Sequence, residues 1–184
     1  MNKKSLIIYI IAFAAVIGVS VWAYNYMSES YTPDEIPESI QSQTVQPAPD
    51  FTVSDAERNP VKLSDFRGKP VIVNFWASWS GPCRMETPAF EKMYKKYGND
   101  IEFFMVNMTD GQRETMEIAK EFVENSGYSF PVCFDINQEA AYTYYVNSIP
   151  MTLFIDAEGN LVNYMRGAIN EDILEKNISL IIDR

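Results

Sequence analysis

Histidine is absent from this chain, and that gap removes a large share of enzyme chemistry. Without imidazole there is no Ser–His or Cys–His nucleophile pair and no imidazole metal site. Cysteine is nearly absent too. The two that occur, Cys83 and Cys133, stand fifty residues apart. They are too few for a disulfide scaffold and are spaced unlike zinc ligands. No run of Lys or Arg follows Lys3 and Lys4, and the formal charge is −10, so no nucleic acid is expected as a partner. No metal and no cofactor is implied. What remains for covalent chemistry is Cys83. Cys133, within "FPVCFD", reads as a small buried hydrophobe in a strand, although a role beside Cys83 stays open.

Charge is missing from one long stretch. Residues 5–27, "SLIIYIIAFAAVIGVSVWAYNYM", hold no charged side chain. A secretion signal needs about 7–15 apolar residues and a spanning helix about 20, so residues 1–27 are expected to be an uncleaved membrane anchor. Val21-Trp22-Ala23 also fits a cleavage site. Trp22, Tyr24 and Tyr26 suit the far bilayer interface. Lys3 and Lys4 precede the stretch, whereas Glu29, Asp34, Glu35 and Glu38 follow it without Lys or Arg. That asymmetry predicts a single pass through the plasma membrane, with the N-terminus cytoplasmic and the remainder extracytoplasmic. Residues 28–47 are polar and punctuated by proline, as in a flexible tether. Residues 48–184 are then a folded domain on the side where disulfides persist.

Within that domain, Phe51–Val53 and Pro60–Leu63 read as short extended pieces around a turn at Glu57-Arg58-Asn59. "PVIVNFW", residues 70–76, is a continuous β-branched apolar run and therefore a buried central strand. A helix is expected from about Pro82 to Tyr97, stopped by Gly98 and kinked at Pro88. Residues 101–107 and 130–134 are strands flanking a helix over 112–125, whose stripe is Met116, Ala119, Phe122 and Val123. Strand–helix–strand with short joints implies a parallel crossover. A short helix over 139–145 precedes a hairpin of residues 152–156 and 161–165. Asn170 caps a last helix with Leu174, Ile178 and Ile181 facing inward. The fold class is α/β with a mixed parallel and antiparallel sheet.

The chemistry concentrates in "WASWSGPCRMETP", residues 76–88. Gly81 and Pro82 suit a tight strand-to-helix entry, with proline pre-set for the first helical turn. Cys83 then lies at a helix N-terminus, where free N–H groups and the dipole are expected to favour thiolate. Cys83, Glu86 and Phe90 share one helical face. A carboxyl on that apolar stripe is expected to carry a raised pKa and to exchange protons with sulfur near neutrality. The bland alternative is a solvated glutamate near a helix start.

These residues, together with "APDF" (48–51), "LSDFRGKPVIVNFWASW" (63–79), "IPMTLFID" (149–156) and "GAI" (167–169), resemble the TlpA/ResA family. Its members are membrane-tethered, thioredoxin-fold thiol–disulfide oxidoreductases of the bacterial cell surface. The resemblance implies a mixed central sheet flanked by helices, with a central βα insertion and an N-terminal β extension. It also implies an acidic residue beside the active site at Glu86 and a cis Ile149–Pro150 bond facing the thiol, next to which an extended substrate would pair. Trp79, Gly81, Pro82, Ile149 and Pro150 are the expected substrate contacts. Protein thiols and disulfides outside the membrane, and a membrane-linked electron donor, are the expected partners.

In the family's W-C-x-x-C motif the first cysteine attacks and the second resolves. Here that first place is Ser80. Three readings stay open: a cysteine-to-serine variant of a dithiol enzyme, a natural monothiol form, or a redox-silent module presenting a peptide groove. A peroxiredoxin-like peroxidase is a weaker alternative, because the P-x-x-x-T-x-x-C pattern of that chemistry is not met at this helix start.

Overall fold

The structure, a computed structural model, describes residues 17–19 and 46–182. The anchor expected over 1–27 and the tether over 28–47 lie almost wholly outside the described residues. Among those residues no helix is long and apolar enough to cross a membrane.

Strand β4, Val71–Trp76, is buried at all six positions. A run apolar on both faces forms a strand only where both faces are covered. Accordingly β4 pairs in parallel with β5 (Glu102–Asn107) and antiparallel with β7 (Met151–Ile155). Around this centre run β1 (Gln46–Pro47), β2 (Thr52–Ser54), β3 (Pro60–Lys62), β6 (Val132–Phe134) and β8 (Asn160–Arg166). The eight-stranded sheet has the order β1-β8-β7-β4-β5-β6-β2-β3. The fold is thioredoxin-like, α/β with a mixed sheet, as the resemblance implied. The β2–β3 hairpin supplies the N-terminal extension, joined to β6 at Ser54 and Phe134. Gln46 and Pro47 pair with Leu161 and Asn160 at one edge of the sheet.

Alternation along β4 sorts the core. Val71, Val73 and Phe75 join Phe51, Phe104, Tyr144 and Leu153 on one face. Phe51 stacks on Phe104 at 5.6 Å between ring centroids and meets Tyr144 edge-on at 5.7 Å. Ile72 and Trp76 join Phe103, Met105 and Phe154 on the other face, beneath helices α1 (Gly81–Tyr97), α2 (Met116–Ser126) and α4 (Glu171–Ile182). The short α3 (Glu139–Thr143) ends before residue 144, earlier than the sequence suggested. Leu174, Ile178 and Ile181 of α4 are buried, and Asn170 Oδ1 accepts from Ile173 N at 2.9 Å, as expected of the cap. Across the surface of α1 and α4, Lys92 pairs with Glu171 and Lys96 with Glu175. Pro88 stays inside one continuous helix 81–97, with Gly98 as its cap.

One helix boundary differs from the sequence reading. The α2 helix begins at Met116 rather than at residue 112. Asp110 Oδ1 accepts from the backbone N–H groups of Gln112, Arg113 and Glu114 at 2.7–2.9 Å, which holds that stretch as a tight loop. A short acidic side chain competes with the helix for the same donors. Thr115 then caps the helix, its Oγ1 accepting from Ile118 N at 3.3 Å. Thr115→Ala is therefore expected to lower stability by about 1 kcal/mol in urea unfolding, whereas Gln112→Ala stays within about 0.5 kcal/mol. A loss at Thr115→Ala no larger than that at Gln112→Ala would remove Thr115 as the cap.

Candidate active site

The buried strand β4 ends at Trp76, and a four-residue turn carries the chain into α1. Ser80 is the N-cap of that helix: its Oγ accepts from Cys83 N at 3.3 Å, and Pro82 sits in the first turn. The turn is fixed from below by Glu114, which is fully buried. Glu114 Oε1 accepts from Ser78 N (2.8 Å) and Asn107 Nδ2 (2.7 Å), and Oε2 accepts from Ser78 Oγ (2.6 Å). One carboxylate thus ties the turn to the end of β5.

Of the residues singled out from sequence, Trp79, Ser80, Gly81, Pro82 and Ile149 line one open groove. The Ile149–Pro150 bond is cis. Pro150 itself is buried and does not line the groove. Its carbonyl already accepts from Gly167 N at 2.9 Å, so it is not free for a substrate strand. The N–H and C=O of Ile149 take no hydrogen-bond partner among the described residues. Trp79 is 43% exposed, and the Arg113 guanidinium carbon lies 3.4 Å from the centroid of its ring. Arg113 and Glu114 were missed from sequence, because both fell inside a segment read as plain helix.

Cys83 is only 1% exposed and lies in the core with Trp76 and Phe90. Burial pushes its thiol above the ordinary value, although the Ser80 hydroxyl pulls the other way. The expectation of a favoured thiolate is therefore corrected. A helix N-terminus lowers a thiol pKa, but desolvation of the charged form is the larger effect here. Cys133 is free as well, and burial pushes it up to about 12, in keeping with core filler.

Glu86, one turn on, is 3% exposed. Its Oε1 accepts from Asn74 Nδ2 at 2.9 Å and its Oε2 from Ile169 N at 3.0 Å, while Asn74 Nδ2 also donates to Thr152 Oγ1 at 3.1 Å. Burial raises its carboxyl to about 7 against these two hydrogen bonds, which favour the anion. The solvated alternative is excluded by that burial. Glu86 also lines a second groove between α1 and residues 168–171, so a buried acid retains a path to water.

This geometry places the cap, the groove and the buried acid around one strand-to-helix turn. The family model for AhpC/TSA proteins matches residues 44–164. The chain belongs to the AhpC/TSA family. Within it the chain is ResA-like. It is 33% identical to the thiol-disulfide oxidoreductase ResA of Bacillus thuringiensis over 135 residues, spanning 73% of this chain and 76% of the relative. ResA of Bacillus subtilis is 31% identical over 73% of each chain. Among solved structures, a putative thiol:disulfide interchange protein DsbE from Chlorobium tepidum superposes with a TM-score of 0.66 at 31% identity. That match covers 74% of this chain and 96% of the other. Relatives named as oxidoreductases agree with a site built for an enzyme.

Two measurements probe the site. Because its folded pKa is about 7 against an ordinary 4.5, Glu86 stabilises the fold below pH 4.5 and loses that contribution as pH rises through 7. The loss amounts to about 3 kcal/mol. Urea unfolding between pH 4.5 and 8 should show this decline, and Glu86→Gln should flatten it. An unchanged slope in the variant would assign the titration elsewhere. Native-state alkylation of Cys83, mapped by mass spectrometry, should run at least about ten-fold slower than in the denatured chain.

Proposed function

We propose that this chain is a thiol–disulfide oxidoreductase tethered to the outer side of the plasma membrane, acting on protein thiols and disulfides with an S-x-x-C form of the dithiol site. The observation that carries this reading is the groove. It presents Trp79–Pro82 and Ile149 together, and the backbone N–H and C=O of Ile149, unpaired among the described residues, suit an extended polypeptide laid alongside. The uncharged residues 5–27, with Lys3 and Lys4 before them, support the tether.

With cysteine at position 80, which is 4% exposed and borders the groove, a thiolate there would attack a substrate disulfide and form a mixed disulfide. Cys83 would then attack that bond, closing an 80–83 disulfide and releasing the substrate as a dithiol with two electrons and two protons gained. Glu86, neutral or ionised near pH 7, is suited to hold or release the proton of the Cys83 thiol one turn away. A membrane-linked donor returns the electrons. With Ser80 the cycle lacks its attacking sulfur, since a hydroxyl is not appreciably ionised at neutral pH. Only exchange at Cys83 remains, and its burial slows that.

That same burial favours one second reading, a redox-silent module that binds extended chains in the groove. Ser80→Cys separates the two. The variant is expected to reduce the interchain disulfides of insulin in the presence of dithiothreitol, at a stability cost of about 0.5–2 kcal/mol for the lost serine cap. A folded but inert variant would leave the binding module.

A further inference from the structure

The groove beside Ser80 is lined by two charged side chains, Asp110 and Arg113. Their situations differ. Asp110 has one carboxylate oxygen engaged by three backbone N–H groups of its own loop. The Arg113 guanidinium forms no ion pair and donates no side-chain hydrogen bond among the described residues. It lies over the Trp79 ring, with the guanidinium carbon 3.4 Å from the ring centroid, and its charge also helps to lower the Asp110 carboxyl on the same loop.

At that separation the guanidinium must lie nearly flat on the indole, because an edge-on fork would drive a nitrogen into the ring. Stacking uses the face of the guanidinium and leaves its in-plane N–H donors free. A flat, always-charged fork with unoccupied edges matches a carboxylate in bidentate fashion. Stacking also fixes the side chain before any partner arrives, which lowers the entropy lost on contact.

Arg166 does not line the groove, but it donates to the groove-lining Asn147 Oδ1 at 3.2 Å and has no ion-pair partner among the described residues. One guanidinium that forms no ion pair among the described residues thus lines the groove of a chain of formal charge −10. The acidic remainder repels an acidic protein as a whole. A local carboxylate on an otherwise neutral or basic client is what the groove accommodates.

We propose that Arg113, stacked on Trp79, is a specificity residue that selects client segments bearing Asp or Glu close to the reacting cysteine. Trp79 adjoins position 80, and an extended chain advances about 3.3 Å per residue, so the carboxylate falls within about three residues of that cysteine. This inference rests on the oxidoreductase reading above.

The test uses the full chain carrying Ser80→Cys and short peptides whose cysteine is activated as a mixed disulfide with an aromatic thiol. The introduced thiolate attacks the peptide sulfur, a new S–S bond forms, and the aromatic thiolate leaves as a coloured product. No outside oxidant or reductant is needed. Three peptides differ only in Glu, Gln or Lys two residues from the cysteine. The Glu peptide is expected to react about ten-fold faster than the Lys peptide at low salt, and the ratio should fall toward one at about 0.5 M salt. Adding Arg113→Gln should also bring the ratio toward one, and Arg113→Lys should restore it only in part, because a point charge cannot stack and fork at once. Equal rates for the three peptides, or a Glu/Lys ratio that survives Arg113→Gln, would overturn the selection while leaving the oxidoreductase reading intact. No reaction with any peptide by a folded Ser80→Cys chain would overturn both.

Discussion

A single buried carboxyl group joins the parts of this molecule that make its site. Glu86 reaches from α1 to Asn74 in β4 and to the backbone of Ile169 ahead of α4, while Asn74 also reaches Thr152 in β7. Two strands, a helix and a loop therefore meet at one polar knot inside an otherwise apolar layer. A knot of this kind is stable only when every member is satisfied, since an unpaired polar group in a low-dielectric interior is expensive. The position of α1, and with it the cap at Ser80 and the sulfur of Cys83, follows from that requirement. The acid also holds its proton to about pH 7 for the same reason, because the apolar surroundings disfavour its anion.

Much of this was legible in the residues themselves. The strand Val71–Trp76 is a run with no polar face but Asn74, and the hairpin of β7 and β8 is marked by its Glu158-Gly159 turn. The stripe Cys83–Glu86–Phe90 correctly put a carboxyl on an apolar face. The start of α2 was not legible, because Asp110 rather than a propensity change decides it. Arg113 and Glu114 were hidden by that same shift, since their partners Trp79 and Ser78 lie more than thirty residues earlier. The state of Cys83 was misjudged for a different reason. Helix position can be read from sequence, but the depth to which Trp76, Phe90 and their neighbours bury the sulfur is a tertiary property.

The site separates its tasks in space. Trp79, Ser80, Gly81, Pro82 and Ile149 face one groove, whereas Glu86 borders another, between α1 and residues 168–171. Cys83 lies between them and opens to neither. A large partner can occupy the first groove without covering the route by which the acid meets water. Serine at position 80 serves this scaffold directly, because its hydroxyl caps the helix through Cys83 N.

The outermost strands of the sheet have a consequence of their own. Among the described residues, one flank is Gln46–Pro47 and the other Pro60–Lys62, each two or three residues long and each containing a proline. Proline offers no N–H to a further strand, and so short a ribbon templates little growth. A protein that handles extended, partly unfolded chains, as proposed here, runs the hazard of recruiting them into an ever-widening sheet. These two rims blunt that polymerisation, and they confine open backbone to the groove where a visitor can leave again.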